Sequence, residues 1–508
     1  MKTTRTQNNQ HMETKMKTTR RLNLLAAALV GALASTAAHA QAAESLYMFE
    51  RGYPAAGTAE RAYNASDLRR AIEAYKFFYP TIATEALMQQ VQQAQPAGTK
   101  PNQLSVKMAT APRHQVPTGN SDTPYAFGPL DLMADGAMVV ELPPGLFIGF
   151  VNDHNCRNVM DMGTIGPDKG KGGKHLILPP DYKSAVPEGY YVGHSQTRTV
   201  FFAVRSLSAE GDAAKALQAI DGIKIYPLAK AGQPVTHRFM DVTEKAAPLK
   251  LLVWEENLDY WRELHAVIEV ETAPESFRPM LGMLASVGIE KGKPFNPDAR
   301  MKRILEEAAH TALAEMNVNA YASRSAEDIT WKDRQWSWVP LRRMSPETKD
   351  YGTPAFLDLE ATDNWFYQAY GASPAMGNRK IGAGSIYFAG FRDKSGAYLD
   401  GGKNYKLNVP GPVPGNLFWS ATVYDAYTRS EIATDQERAA VRSLFEKPHA
   451  NADGSYDLYF GPKAPAGKEG QWVKTIPGKG WFAYFRIYGP QAPAFDGTWK
   501  LNDIAEVK

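Results

Sequence analysis

A chain of 508 residues is long enough for two or three domains with sizeable cores. Its 57 basic and 54 acidic residues nearly balance, and no basic run beyond the first 40 residues argues for nucleic acid. The single cysteine, Cys156, excludes an intrachain disulfide, and 34 prolines, 41 glycines and 11% aromatics suit a β-rich protein with many turns.

The N-terminus reads as an export signal. "MKTTR" occurs at 1–5 and again at 16–20, which points to Met16 as the true start. Lys17, Arg20 and Arg21 form a basic region, Leu22 to Leu33 is mostly apolar, and Ala38-His39-Ala40 supplies an A-x-A cleavage site. The apolar run is too short to span a bilayer. The arginine pair leaves the Sec and twin-arginine routes open. Residues 1–40 would be removed, leaving 51 basic against 53 acidic residues in a periplasmic or secreted protein. No later stretch reaches eighteen apolar residues, so no membrane insertion of the mature chain is expected.

Residues 46–95 carry apolar side chains at helical spacing, with Pro80 as an expected break. From about 100 to 230, short aromatic and β-branched runs alternate with Pro/Gly turns, as in "AMVVELPP", "GLFIGFV" and "RTVFFAVR", the pattern of a β-sandwich. Helices return over about 240–325, the clearest being "NLDYWRELHAVIE" and "DARMKRILEEAAHTALAEM", the second starting at Asp298. Residues 326–375 are rich in tryptophan, and strands dominate from about 385. The divisions expected are 46–235, N-terminal helices plus the first sandwich; 236–380, a helical and aromatic middle; and 381–508, the second sandwich.

The two β regions look like copies. "GLFIGFVND" ends at Asp153 and "VFFAVR" at Arg205; "NLFWSATVYD" ends at Asp425 and "WFAYFR" at Arg486. His175 to Arg205 and Tyr456 to Arg486 are both 30 residues, whereas Asp153 to His175 is 22 and Asp425 to Tyr456 is 31. A nine-residue insertion in one loop of the second copy accounts for the difference.

The basic glycine-rich stretch "TIGPDKGKGGKHLILPP" (164–180) is not a phosphate loop. No Gly-Lys pair is followed by Ser or Thr, and the segment runs into a strand ended by prolines, not into a helix. A flexible connection is the plainer reading; a loop folded over a site, with Lys174 meeting an anion, is the functional one.

"GNSDTPYAFGPLDL" (119–132), "GPDKGKGGKHLILPPDY" (166–182) and "VPEGYYV" (186–192) resemble the family called domain of unknown function 1254. "NLFWSATVYDAYTRSEIA" (416–433), "DGSYDLYFGPKAP" (453–465) and "GWFAYFRIYGP" (480–490) resemble its C-terminal companion, domain of unknown function 1214. The resemblance implies a β-rich α+β fold: two jelly-roll-like β-sandwiches with helical segments before and between them. It implies little chemistry. His175 stands where relatives tend to have an aromatic, so no role for it is inherited.

Four groups of residues could carry chemistry. In "VNDHNC" (151–156), His154 and Cys156 are two apart and could share a face as base and nucleophile. His154 with Asp153 and Asp161, joined by His175 or His194, is the best set for a divalent metal, with His154 and Asp161 as its ligands. The plainer readings are a buried core cysteine and an Asp closing a turn. Asn120, Asp122 and Tyr125 form either an Asx-turn or a polar cleft rim. Arg205 and Arg486 either pair with Asp153 and Asp425 or clamp a carboxylate. Trp331, Trp336, Trp338, Trp365 and Tyr367 are either core or the wall of a pocket between modules.

The expected function is an exported enzyme, hydrolase-like or a metal-assisted lyase, acting on a small or medium organic substrate. Its catalytic residues would be His154, Asp153, Asp161, Asn120, Asp122 and Tyr125, with substrate contacts from Lys174, Arg205, Trp336, Trp365, Trp419 and Tyr424. The rival is a non-catalytic binding or assembly module. No nucleotide or haem is expected, since no dinucleotide fingerprint, G-x-S-x-G elbow or C-x-x-C-H is present. Oligomerisation with like chains stays open.

Overall fold

A computed structural model describes residues 47–208, 210–245, 255–339, 344–345, 347, 350–352, 355–377, 381–382 and 384–507. The expected export signal at 1–40 lies outside the described residues. The architecture is mixed α and β, about 29% helix and 27% strand, with several sheets, none closed. The chain divides into two compact units, Met1–Arg69 and Arg70–Lys508.

In the first unit, a short hairpin pairs Phe49–Glu50 with Tyr53–Pro54, and the Met48 N–H donates to Thr58 Oγ1 at 3.1 Å. Thr58 opens helix α1 (Thr58–Ala94), which runs on into the second unit. Pro80 does not break α1, contrary to expectation. A helix-interior proline costs about 3 kcal/mol, and the apolar row Ala71, Tyr75, Phe78, Ile82, Val91 is buried on both sides of Pro80. Burial of that row holds the helix together across the lost hydrogen bond.

Among its described residues the second unit contains nineteen strands in four sheets. Strands β1 (Leu104–Ala109), β2 (Pro124–Asp131), β3 (Met138–Leu142), β4 (Phe147–Asp153), β5 (Asn158–Gly163), β6 (Gly173–Leu178), β7 (Tyr191–His194), β8 (Thr199–Ser206) and β9 (Lys224–Pro227) form the first repeat. β10 (Arg238–Asp241) adds to its edge. Strands β11 (Trp336–Trp338), β12 (Ser385–Gly390), β13 (Asn404–Val409), β14 (Trp419–Asp425), β15 (Ala440–Arg442), β16 (Tyr456–Gly461), β17 (Trp472–Lys474), β18 (Trp481–Tyr488) and β19 (Ala505–Val507) form the second. The sheet orders are β10-β1-β2-β8-β4-β5 and β9-β3-β6-β7, then β11-β12-β18-β14-β15 and β17-β16-β13-β19. Each strand of the first repeat thus has its counterpart ten numbers later, with the same neighbours. Even the single parallel pair inside each repeat recurs, β6 with β7 and β16 with β17.

The register confirms the matched residues. Val200 lies opposite Asp153 and Trp481 opposite Asp425. Arg205 lies between Tyr125 and Ile148, and Arg486 between Tyr387 and Ser420. Within each repeat the two sheets share a core. Leu130, Val151, Phe202 and Val204 meet Met138, Val140 and Ile177 in the first. Phe388, Trp419, Val423 and Phe485 meet Leu407, Leu458 and Phe460 in the second.

Alternation along a strand sends every second side chain to the opposite face. On β2 and β8 that face carries Tyr125, Phe127, Phe201, Ala203 and Arg205; on β12, β14 and β18 it carries Tyr387, Ser420, Thr422, Tyr424, Tyr484, Arg486 and Tyr488. In the second repeat this face is buried too, since β14 and β18 have no exposed or half-exposed residue, whereas Tyr125, Phe127 and Ala203 of the first are half-buried. Against it lie α1, the end of α4 (Ala299–Tyr321), whose Tyr321 packs on Phe482, and α5 (Leu359–Gln368), whose Gln368 accepts from the Tyr484 hydroxyl; α2 (Leu258–Val270) packs on α1 and α4 through Tyr260 and Trp261, and α3 (Arg278–Ser286) follows it in the chain.

The glycine-rich stretch folds as a tight connection from β5 to β6. Its anchor is buried Asp168, which accepts the Gly163 N–H at 2.7 Å and lies 3.2 Å from His175 Nε2, while His175 Nδ1 lies 3.2 Å from the Val140 carbonyl. Gly163 has φ +78°, and a Cβ there would sit 2.1 Å from the Phe147 carbonyl oxygen. Gly163→Ala is expected to cost about 2–3 kcal/mol, from left-handed strain plus overpacking. Gly189→Ala, with φ +87° but nothing within 4 Å, should cost about 1 kcal/mol. Urea unfolding of both variants checks this; equal losses would refute the close-packing role of Gly163.

Candidate ligand-binding cavity

A cavity of about 600 Å³ opens beside the second face of the first repeat. Its floor is Tyr125, Phe127, Phe150, Phe201 and Ala203; its sides are Leu87, Val91 and Ala94 of α1, the 110–120 loop, and Trp365 and Ala369 at the end of α5. Tyr387, Tyr484 and Arg486 of the second repeat close one end. The body is apolar because the outward positions of β2 and β8 are aromatic or small. The cavity therefore lies where the two repeats meet within the second unit.

The polar end is held by a buried seam between the repeats. Asp122 Oδ2 accepts from Ser420 Oγ at 2.6 Å and from the Tyr488 hydroxyl at 2.8 Å. Asn120 Oδ1 accepts the Asp122 N–H at 2.9 Å, an Asx-turn, and its Nδ2 donates to the Tyr488 hydroxyl at 3.0 Å. The Tyr424 hydroxyl donates to the Gly119 carbonyl at 2.7 Å. Arg205 Nη2 donates to Ser385 Oγ at 3.3 Å, and its guanidinium lies 5.6 Å from the Tyr488 ring centre. Arg486 donates from Nη1 to Thr422 Oγ1 at 2.9 Å and from Nη2 to the Tyr424 hydroxyl at 2.5 Å. The neighbouring Glu431 accepts the Ser121 N–H at 2.9 Å, and burial pushes its carboxyl up to about 7.

Asn120 makes the Asx-turn of the plainer reading. Asn120 and Tyr125 line the cavity and Asp122 stands behind them. Trp365 also lines it, with its Nε1 donating to the Gly371 carbonyl at 3.0 Å. The other expected contacts lie elsewhere. Trp336 and Trp419 are in the core of the second repeat, as inward-facing aromatics of a two-sheet layer must be. Lys174 sits over the Tyr190 ring at 5.7 Å on the far sheet. Arg205 and Tyr424 belong to the seam.

The expected pairs Arg205–Asp153 and Arg486–Asp425 do not form, because the arginines point into the seam. Asp153 Oδ1 instead accepts the N–H groups of Asn155 and Arg157, both at 2.9 Å; Asp425 Oδ1 accepts those of Tyr427 and Thr428 and its Oδ2 pairs with Lys479 at 2.7 Å. Both acids close turns. Asp161 accepts from Ser373 Oγ and Asn158 Nδ2.

His154 forms an ionic latch. Its Nδ1 lies 3.2 Å from Glu271 Oε1, and its Nε2 lies 3.0 Å from Glu85 Oε2, off the line of a well-aligned hydrogen bond. Burial alone would lower its pKa, but the two carboxylates outweigh that and raise it to about 9. Glu271 also accepts the N–H groups of Arg198 and Thr199, at 2.7 and 2.9 Å. The latch ties the first repeat to α1 and to the end of α2. Cys156 is buried with its thiol pushed up to about 12, which leaves no thiolate for a Cys–His pair. His154 and Asp161 bond to separate partners, and among the described residues no group of three or more His, Cys, Asp or Glu could hold a metal.

Residues 101–227 match the family model described as "Protein of unknown function (DUF1254)", and residues 384–492 that described as "Protein of unknown function (DUF1214)". The chain carries the DUF1254–DUF1214 tandem. The DUF1254 match covers β1 to β9 and the DUF1214 match β12 to β18, so each match falls within one of the two repeats. No curated protein shows significant sequence similarity to the chain. Among solved structures, the VPA0106 protein from Vibrio parahaemolyticus is similar at 18% identity and a TM-score of 0.52, over 87% of this chain and all of that one. A putative uncharacterized protein from Burkholderia cenocepacia is 13% identical with a TM-score of 0.40, over 89% of this chain and 97% of that one. The first likeness is one of fold.

Sequence reasoning on the tandem missed Glu85 and Glu271 as partners of His154, since neither lies near it in the chain. His154→Gln is expected to destabilise by about 3 kcal/mol, because two buried carboxylates lose their cation. The folded pKa of His154 is raised, so its contribution is fully present below about pH 6.5 and fades as pH rises through about 9. Glu85 and Glu271 are lowered: burial opposes this, but the His154 contacts win, so their contribution fades as pH falls. Urea melts across pH should show the wild-type advantage over the variant largest between about pH 5 and 6.5 and shrinking toward pH 9; a gap independent of pH would refute the latch.

Proposed function

We propose that this protein binds a small or medium organic molecule with a largely apolar body in the cavity between the repeats. The observation that carries the reading is the cavity itself, about 600 Å³, walled by aromatics and ended by a few convergent polar groups. That combination is the usual form of a small-molecule site. We infer a binding role ahead of hydrolysis or metal-assisted elimination, because of the residues expected to be catalytic only Asn120 and Tyr125 reach the cavity. Glu431, the seam carboxyl held nearest neutrality, is not among the lining residues.

Export to the periplasm or outside remains part of the proposal, supported by the pattern of residues 17–40 and the single cysteine. No helix among the described residues is long and apolar enough to cross a membrane. The division at 46–235, 236–380 and 381–508 is kept on the strength of the two repeats. Each pair of sheets is read as a jelly-roll-like sandwich from its shared core; the parallel pairs β6–β7 and β16–β17 are departures from the all-antiparallel form.

Ala203 sits on the cavity floor and is half-buried, so Ala203→Trp should fill the space with a stability change within about 1 kcal/mol. Titration with apolar solutes, followed by tryptophan fluorescence and thermal shift, should give saturable binding to the wild type and none to the variant. Equal binding to both would end the cavity reading. Turnover of ester substrates by the wild type, abolished in the variant, would restore the hydrolase reading.

A further inference from the structure

The charge on the cavity wall is one-sided. Among the described residues that line it, the charged side chains are Lys245 and Arg486, both basic, and none is a carboxylate. Arg486 is only 2% exposed. A buried cation normally has a carboxylate partner. Arg486 has none within ion-pair distance among the described residues: Thr422 and Tyr424, both neutral, take its Nη groups, and its Nε makes no hydrogen bond. Arg205 is likewise held by neutral groups. Asp122 is near enough to act on Arg486, but its Oδ2 serves Ser420 and Tyr488. Arg486 thus lines the cavity with its Nε unbonded and no carboxylate paired to it among the described residues.

Donors converge on the same end. The Tyr387 oxygen accepts from Ser385 at 2.9 Å, which leaves its O–H proton to give, and Tyr387 lines the cavity with Arg486. Tyr125, its counterpart in the first repeat, lines the cavity opposite Arg205. The Tyr387 ring lies 5.4 Å from the Arg486 guanidinium, and a guanidinium beside a phenol is a carboxylate-binding set, since charge-assisted hydrogen bonds are the strong ones.

We propose that the cavity takes an amphiphile with one carboxylate head, set against Arg486 and Tyr387, its apolar body lying along Phe127, Phe150 and Phe201. This rests on the cavity being a binding site and names the class of ligand. Decanoate, decanol and decylamine share a body and differ in the head, so calorimetric titration of the mature protein with each separates the two claims. Decanoate should bind at least about tenfold more tightly than decanol, with decylamine weakest. Arg486→Met should weaken decanoate about 10- to 100-fold and change decanol by no more than about twofold. Should Arg486→Met fail to fold, the wild-type series together with Tyr387→Phe, which should narrow the decanoate preference, decides the matter. Equal affinity for decanoate and decanol overturns the anionic head and leaves the cavity reading standing. Binding of none of the three overturns the cavity reading and the head with it.

Discussion

Everything that defines the candidate site depends on burying the second face of two β-sheets against one another. In an ordinary two-layer repeat that face meets water and carries polar side chains. Here both are covered, so their polar groups must find partners inside the protein. Asp122, Ser420 and Tyr488 supply the central contact, with Asn120, Arg205 and the Tyr424–Gly119 bond around it. A buried carboxylate left without its donors would cost several kcal/mol, so the seam fixes the 117–122 loop, and with it the mouth and polar end of the cavity.

The two repeats keep one scaffold and use it differently. Asp153 and Asp425 end equivalent strands and both cap turns with a single carboxylate oxygen. Arg205 and Arg486 occupy the same register with a tyrosine across the sheet, Tyr125 or Tyr387. Asymmetry enters through what is laid over each face. The first repeat meets α1 and the 110–120 loop across aromatic residues and leaves a cavity; in the second, Ser420, Thr422 and Tyr424 are consumed by hydrogen bonds. The same strand geometry thus yields an apolar wall in one copy and a polar anchor in the other.

Several residues with the look of chemistry are scaffold. His154 is a charged tie between Glu85 and Glu271, Asp153 closes a turn, Cys156 is buried and inert, and His175 with Asp168 pins the glycine-rich connection. Each is buried with its hydrogen bonds directed at protein groups. A second buried tie, the Glu255–Arg429 pair at 2.7 Å, takes in Tyr79 of α1 as well. These ties hold the helices against the sheets without touching the cavity.

By itself the sequence determined the local and repeated features: the alternation of strands and helices, the duplication, the match of Asp153 with Asp425 and of Arg205 with Arg486, and the refusal of a phosphate loop. All of these follow from side-chain periodicity and spacing, which are written along the chain. It also marked Asn120, Asp122 and Tyr125, because turn-forming residues before a strand are a local signal. Only the tertiary structure decided which arginine meets a cavity, that His154 lies between carboxylates about 70 and 117 positions away in the chain, and that Pro80 sits inside a continuous helix. The physical reason is that strand periodicity says which side chains share a face but not what covers it. The covering elements here, α1, α5 and the opposite repeat, come from distant parts of the chain and set both partner and charge.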